Sequence, residues 1–331
     1  MMPGRRNILL GGAALATAGL SARAVAAPAK ARKLRMGYLL PTESQLGAGA
    51  TAMAEEVARR TGGRIEIQQF PNSVLGGEVE MLKAVQLGTI DLAFITGAPL
   101  PNVLPDAGIF NIPFLFNSPA HAHAVLDGPI GDSYLRLLAG KDLVALAWGE
   151  NGLRHITNSK RPIATPDDLK GLKLRVPQSP VMLLGFRALG AEANPLPFPQ
   201  VYGALQAGVF DGQENPIATI TSAKFAQVQK FLTLSGHVYD PALIVMSSDA
   251  NDDLPAEDRA IILAAAKTGA RASRSFAAAA EGSGVAGLKQ AGMQVLPGID
   301  RARFAAAMAS ANPEFDKLFG RQRIEQIRAA G

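Results

Sequence analysis

No cysteine occurs among the 331 residues. That excludes disulfides, thiol nucleophiles and Cys-ligated metals. Histidine is scarce, with four in all. His121 and His123 stand two apart on an expected helix, so they point to different faces rather than chelating together. His155 and His237 are isolated in the sequence. There is no G-x-S-x-G elbow, no P-loop, and no glycine-rich dinucleotide loop joining a strand to a helix. Runs of Lys and Arg that would mark a nucleic-acid surface are also missing. Beyond the amino-terminal segment, no apolar stretch reaches the roughly 20 residues that span a bilayer. A chain of this length buries enough core to fold without cross-links.

What is present begins at the amino terminus. Arg5-Arg6 precede an uncharged run from Asn7 to Leu20, and Ala24-Val25-Ala26 offers an A-x-A cleavage site. A basic start, a short apolar stretch and a small-residue exit define a secretory signal rather than a membrane span. Residues 1–26 are therefore expected to be a signal peptide, and the mature protein is expected in the periplasm. The Arg pair suggests the twin-arginine route, although Gly4 and Ile8 depart from its usual pattern. Cleavage after Ala26 removes Arg5, Arg6 and Arg23 and no acid. Lys plus Arg falls from 33 to 30 against 28 acids, so a net +5 becomes +2. The basic balance belongs largely to the signal.

The mature part alternates strand-like and helix-like segments, which predicts α/β architecture. Leu34–Leu40 reads as a strand. Ser44–Arg60 carries Leu46, Ala50, Met53 and Val57 at helical spacing and ends at Gly62-Gly63. Arg64–Gln68 alternates as a strand, Glu78–Leu87 is helical, and Ile90–Ile95 is a buried strand, making a βαβαβ unit. Trp148-Gly149-Glu150-Asn151-Gly152 reads as a crossing strand or hinge. Leu172–Val176 alternates again, with helices expected over Pro180–Leu189 and Pro199–Ala207. A helix opening at Leu254-Pro255-Ala256 runs past Ala280, long enough to lie across two lobes.

Several runs carry a resemblance. They are IATPDDLKGLKLRVP at 163–177, PQVYGALQAGVFDGQENP at 199–216, and TGGRIEIQQFPNSVLGGEVEMLKAVQLGTIDLAF at 61–94. NIPFLF at 111–116 and GLRHITN at 152–158 join them. In this order, over essentially the whole mature chain, they resemble the DctP-type solute-binding subunit of TRAP (tripartite ATP-independent periplasmic) transporters. The resemblance implies a two-lobe periplasmic-binding-protein-like clamp, with crossing hinge strands and a long helix spanning both lobes. Lobe I is expected over 33–151 plus 241–280, and lobe II over 152–240 plus 281–331. It further implies a small organic-acid ligand, a membrane permease as partner, no cofactor, no metal and no catalysis. A monomer is expected.

The resemblance makes Arg175 the partner of the ligand carboxylate. Strand alternation is compatible: Leu174 and Val176 face a core while Arg175 points the other way. A guanidinium offers a planar fork that matches a carboxylate and stays charged. Arg154 is expected as a second contact, with bracing of the hinge as its rival role. Asn215 is expected to donate to the same carboxylate, against a cap before Pro216. Gln178 and Phe198 fall where the family places contacting side chains; core packing is the alternative for Phe198. Thr96, Glu150, Ser44 and Tyr239 are further lining candidates. A helix cap competes for Ser44, and plain packing competes for Tyr239 and His237. The loop Pro41-Thr42-Glu43-Ser44 departs from the His-Pro often found there, so distal recognition differs. Alternative readings are an ABC-type binding protein, a periplasmic enzyme acting on an acid, and a ligand-sensing accessory to a receptor.

Overall fold

The computed structural model describes residues 31–330, so the expected signal peptide lies outside the described residues. One mixed sheet of nine strands organises them: β1 (Arg32–Tyr38), β2 (Ile65–Phe70), β3 (Leu92–Thr96), β4 (Leu143–Asn158), β5 (Lys173–Val176), β6 (Glu192–Pro195), β7 (Gly212–Pro216), β8 (Phe231–Ser247) and β9 (Gln294–Leu296). Their spatial order is β2-β1-β3-β8-β4-β7-β5-β6, with β9 paired to β8. At one end β1, β2 and β3 are parallel. At the other, β5 is parallel to both β6 and β7.

The two strand groups are joined by β4 and β8, an antiparallel pair running from Leu143↔Ser247 to Asn158↔Phe231. Its register breaks between Ala145 and Ala147, between Glu150 and Gly152, and between Arg154 and Ile156. Such irregularities bend a strand and increase its twist. The middle one falls on the glycine-flanked segment expected to cross, and Gly152 takes φ +130° against the Pro216 ring. These are the crossing hinge strands.

Helix α1 (Gln45–Arg60) buries Leu46, Ala50, Met53 and Val57 against Leu34, Met36 and Phe94. That apolar stripe makes it a helix in this context, since its face must leave water. Helix α2 (Glu78–Gln86) follows Gly77 and buries Met81, Leu82 and Val85. The long helix Ala256–Gln290 contributes Ile262, Ala265, Ala266 and Ala270 to the cluster around α1. Further along, its Leu288 joins a second cluster with Val201, Leu205, Ile217 and Phe225. It therefore spans both ends of the sheet. Close crossing requires small residues: a Cβ on Gly49 would lie 2.8 Å from the Gly269 carbonyl, and one on Gly269 2.6 Å from that of Gly49. The helix also fixes the hinge, where Ser273 Oγ accepts from Glu150 N at 3.1 Å.

The string Gly282-Ser283-Gly284-Val285-Ala286-Gly287 has G-x-G-x-x-G spacing but lies within the long helix. A dinucleotide loop must sit at a helix N-terminus, so the spacing has no phosphate-binding geometry. The last helices pack against the segment between β3 and β4. Phe315, Phe319 and Ile327 share a core with Ile109, Phe110 and Leu115, and Arg323 pairs with Asp106 at 2.7 Å. No described helix is long and apolar enough to cross a membrane.

Candidate ligand-binding site

Arg175 sits near the end of β5, between Leu174 and Val176, which are fully buried in the main core. Alternation sends Arg175 to the opposite face. There it is the register partner of Gln213 in β7, two residues from Asn215 on the same side. Its guanidinium donates twice to one backbone oxygen, Leu196 O, from Nε at 2.9 Å and Nη2 at 2.6 Å. Among the described residues it forms no ion pair. Burial pushes its pKa down to about 9; Arg154 adds to this while Glu214 and Glu78 oppose it. A buried cation without a partner is costly, and an arriving carboxylate would relieve that cost.

Arg154 presents the opposite case. All three of its guanidinium nitrogens are engaged. Nε and Nη2 reach the Glu214 carboxylate at 2.5 and 2.8 Å, Nη2 also donates to Glu214 O at 2.7 Å, and Nη1 donates to Asp240 at 2.6 Å. Burial alone would lower its pKa, but the two carboxylates outweigh burial and raise it. Burial likewise pushes the Glu214 carboxyl up, yet Arg154 and His237 together hold it below the usual range. His237 Nε2 lies 3.0 Å from Glu214 and its Nδ1 2.8 Å from Ser235 Oγ. Arg154 thus ties β4 to β7 and β8 through two carboxylates and one backbone carbonyl, the bracing role that rivalled ligand contact.

Asn215 is buried, and its amide donates to Gln213 Oε1 at 2.5 Å. Gln213 in turn donates to Thr157 Oγ1 at 2.9 Å. This chain fixes the Asn215 amide while leaving its second N–H uncommitted within the protein. Gln178 is anchored through its backbone, where its carbonyl accepts from Asn102 Nδ2 at 2.8 Å. Phe198 is half-buried and packs against both the α1 cluster and the Val201–Phe225 cluster. It also lines a cavity of about 270 Å³ with Leu39, Leu40, Ser73, Tyr202 and Lys224.

From the other strand group, Thr96 ends β3 and gives its N–H and hydroxyl to Glu78, at 2.7 and 3.0 Å. Glu78 is the first residue of α2, and burial pushes its carboxyl up to about 7. Glu78 was missed in the sequence, where an acid in a first helical turn reads as a favourable partner of the helix dipole. The Gly76-Gly77 pair just before it was the available signal.

The remaining candidates group differently. Ser44 is the N-cap of α1: it accepts from Gly47 N at 3.1 Å and donates to Pro41 O at 2.6 Å. Its hydroxyl is used within its own turn, the helix-cap role that competed for it. Glu150 and Tyr239 are brought to each other, with the Tyr239 hydroxyl donating to Glu150 at 3.1 Å and His123 Nε2 at 2.7 Å from the same oxygen. Neither bonds to Arg175, Asn215 or Glu78. Glu150 lines a separate cavity of about 240 Å³ beside the long helix, with His123, Gly152, Ala277 and Glu281. The Tyr239 hydroxyl is committed, and burial raises its pKa well above the usual phenol value. His121 faces Ile327 O at 2.8 Å, so the two neighbouring histidines diverge. Among the described residues, no group of three or more potential ligands is placed to hold a metal ion.

Comparisons with known proteins bear on the family and the fold. The sequence model of the DctP family, described as bacterial extracellular solute-binding protein, family 7, matches residues 36–318. A solute-binding protein of Verminephrobacter eiseniae is 48% identical over 297 residues, covering 90% of this chain and 89% of that protein. A TRAP periplasmic solute-binding protein of Bordetella, with density assigned to pantoate, superposes at a TM-score of 0.89 and 45% identity. It covers 91% of this chain and 99% of its own. One from Polaromonas bound to D-erythronate gives the same TM-score and identity, with 90% and 99% covered.

Proposed function

Because the chain belongs to the DctP family of bacterial extracellular solute-binding proteins, we propose that it captures a small organic acid by its carboxylate on Arg175. The observation that carries this reading is a guanidinium 2% exposed, bonded only to one carbonyl, between two residues that face the core. Asn215 supplies a second donor from the same face, with Gln178 and Phe198 beside it. Thr96 and Glu78 complete the site from the first lobe. Pantoate and D-erythronate, found with two relatives, are both hydroxy monocarboxylates. A site with one buried cation and a nearby hydrogen-bonding acid suits that class.

The mechanism is a clamp. Residues 33–151 with 241–280, and 152–240 with 281–331, move about the bends in β4 and β8. Ligand stabilises the closed state through contacts that exist only when Thr96 and Glu78 meet Arg175. An affinity of about −8 kcal/mol, near micromolar, suffices for scavenging. The chain is exported by its amino-terminal signal, acts in the periplasm and hands unchanged acid to a TRAP-type permease, with no turnover. Native mass spectrometry of the purified protein tests this: a co-purified acid recovered unchanged supports it, and a chemically altered product supports the enzyme reading. Calorimetry with pantoate, D-erythronate and succinate then ranks the ligand classes.

A further inference from the structure

We propose that the captured acid carries a compact, branched aliphatic tail, held between the two strand groups in the cavity that Phe198 borders. The inference rests on the carboxylate docking at Arg175 and concerns what lies beyond it. Open α/β sheets hold ligands outside the carboxyl ends of their parallel strands, and the cavity is built from segments that follow such ends. Leu39 and Pro41 follow β1, Ser73 follows β2, and Phe198 and Tyr202 follow β6. Arg175 reaches the same place from β5, because its guanidinium is held by Leu196 O, two residues before Phe198. Two residues of chain span at most about 7 Å. The cavity wall therefore begins within the length of a small acid from the anchor.

Phe198 belongs to both walls. It packs on the cluster of Leu39 and Leu40 from one strand group and on that of Val201 and Phe225 from the other. Its ring centroid lies 6.1 Å from that of Phe225. Across the gap, a Cβ on Gly77 would lie 3.7 Å from Pro197 Cβ, so the two groups meet beside the anchor. The enclosed space is about 270 Å³. Pockets for drug-sized ligands run from roughly 300 to 1,000 Å³, so this one suits a small tail.

The chemistry of the walls sets the class of tail. Leu39, Pro41, Phe198, Pro199 and Phe225 present carbon to the cavity. The hydroxyls of the lining have already given their protons to the protein. Ser73 donates to Leu39 O at 3.3 Å, Ser222 to Thr219 O at 3.4 Å, and Tyr202 to Gln227 Oε1 at 2.8 Å. A sugar-acid tail would bring a hydroxyl on every carbon to these walls and lose water bonds that they do not replace, which is costly. Methyl groups leaving water for the same walls are favourable. Lys224, the cation of the lining, is exposed at the mouth. A distal carboxylate paired with it would gain little, as exposed ion pairs do. Dicarboxylates are therefore disfavoured as well.

The test is calorimetric titration of the intact mature protein with three acids that share a four-carbon chain, a hydroxyl beside the carboxylate and a terminal hydroxyl. Pantoate carries two methyl groups on its third carbon, its demethylated analogue carries none, and D-erythronate carries a hydroxyl there. Pantoate should bind about tenfold more tightly than the analogue, the effect of burying two methyl groups. D-erythronate and succinate should bind no more tightly than the analogue. In Phe198→Ala, and to a smaller extent in Leu39→Ala, the pantoate advantage should shrink, with thermal unfolding checking that each variant folds. The wild-type ranking needs neither variant. D-erythronate or succinate bound as tightly as pantoate overturns the proposal, and leaves the anchor standing where Arg175→Met weakens every acid alike. An undiminished pantoate advantage in folded Phe198→Ala overturns it too. So does binding of none of these acids; the anchor is then judged separately, by whether Arg175→Met loses the acid that wild type retains on purification.

Discussion

Arg154 and Arg175 are equally buried, each 2% exposed, yet they are in opposite electrostatic states. Around Arg154, where β4, β7 and β8 meet, two carboxylates and a carbonyl meet the guanidinium. Around Arg175, at the end of β5, one carbonyl does. The first raises its arginine's pKa and the second lowers it. Burial of a cation therefore does not by itself mark a binding site. The number of counter-ions the fold supplies separates the two.

The comparison is broken most forcefully at the brace. Arg154→Ala leaves Glu214 and Asp240 as buried carboxylates without a cation, which should cost about 3–5 kcal/mol of stability in urea unfolding. Loss of under 1 kcal/mol would show that these charges are not mutually dependent. Arg154→Lys keeps the charge but loses the planar two-point match to Glu214, and the cost should be smaller, about 1–3 kcal/mol. Ser44→Ala should cost about 1 kcal/mol through the lost cap and leave acid binding unchanged. A change in affinity of tenfold or more would return Ser44 to the site.

Arg175 was singled out by the resemblance to the DctP family; alternation with Leu174 and Val176 was compatible with it, and no local pattern shows that the guanidinium is buried. The sequence disclosed α1 through its apolar stripe and the long helix through its unbroken run. The partners of Arg154 were not legible, for a different reason. They lie 60 and 86 residues away, and only pairing of β4 with β7 and β8 brings them together. Glu78 was passed over because its bonds to Thr96, 18 residues away, arise from the packing of α2 beside β3, which no local pattern records. The full length of β4 and β8 was hidden too. Glycines and buried polar residues such as Glu150, Asn151 and Asp240 interrupt their apolar pattern at the hinge.

The anchor itself is tested most directly by titrating Arg175→Met with D-erythronate and pantoate beside wild type, and by melting both without ligand. Affinity should fall by roughly 10²–10³-fold, the effect of leaving a buried carboxylate unpaired. The ligand-free protein should melt no lower than wild type, because an uncompensated buried charge has been removed. An Arg175→Met protein that binds either acid within threefold of wild type would contradict the account.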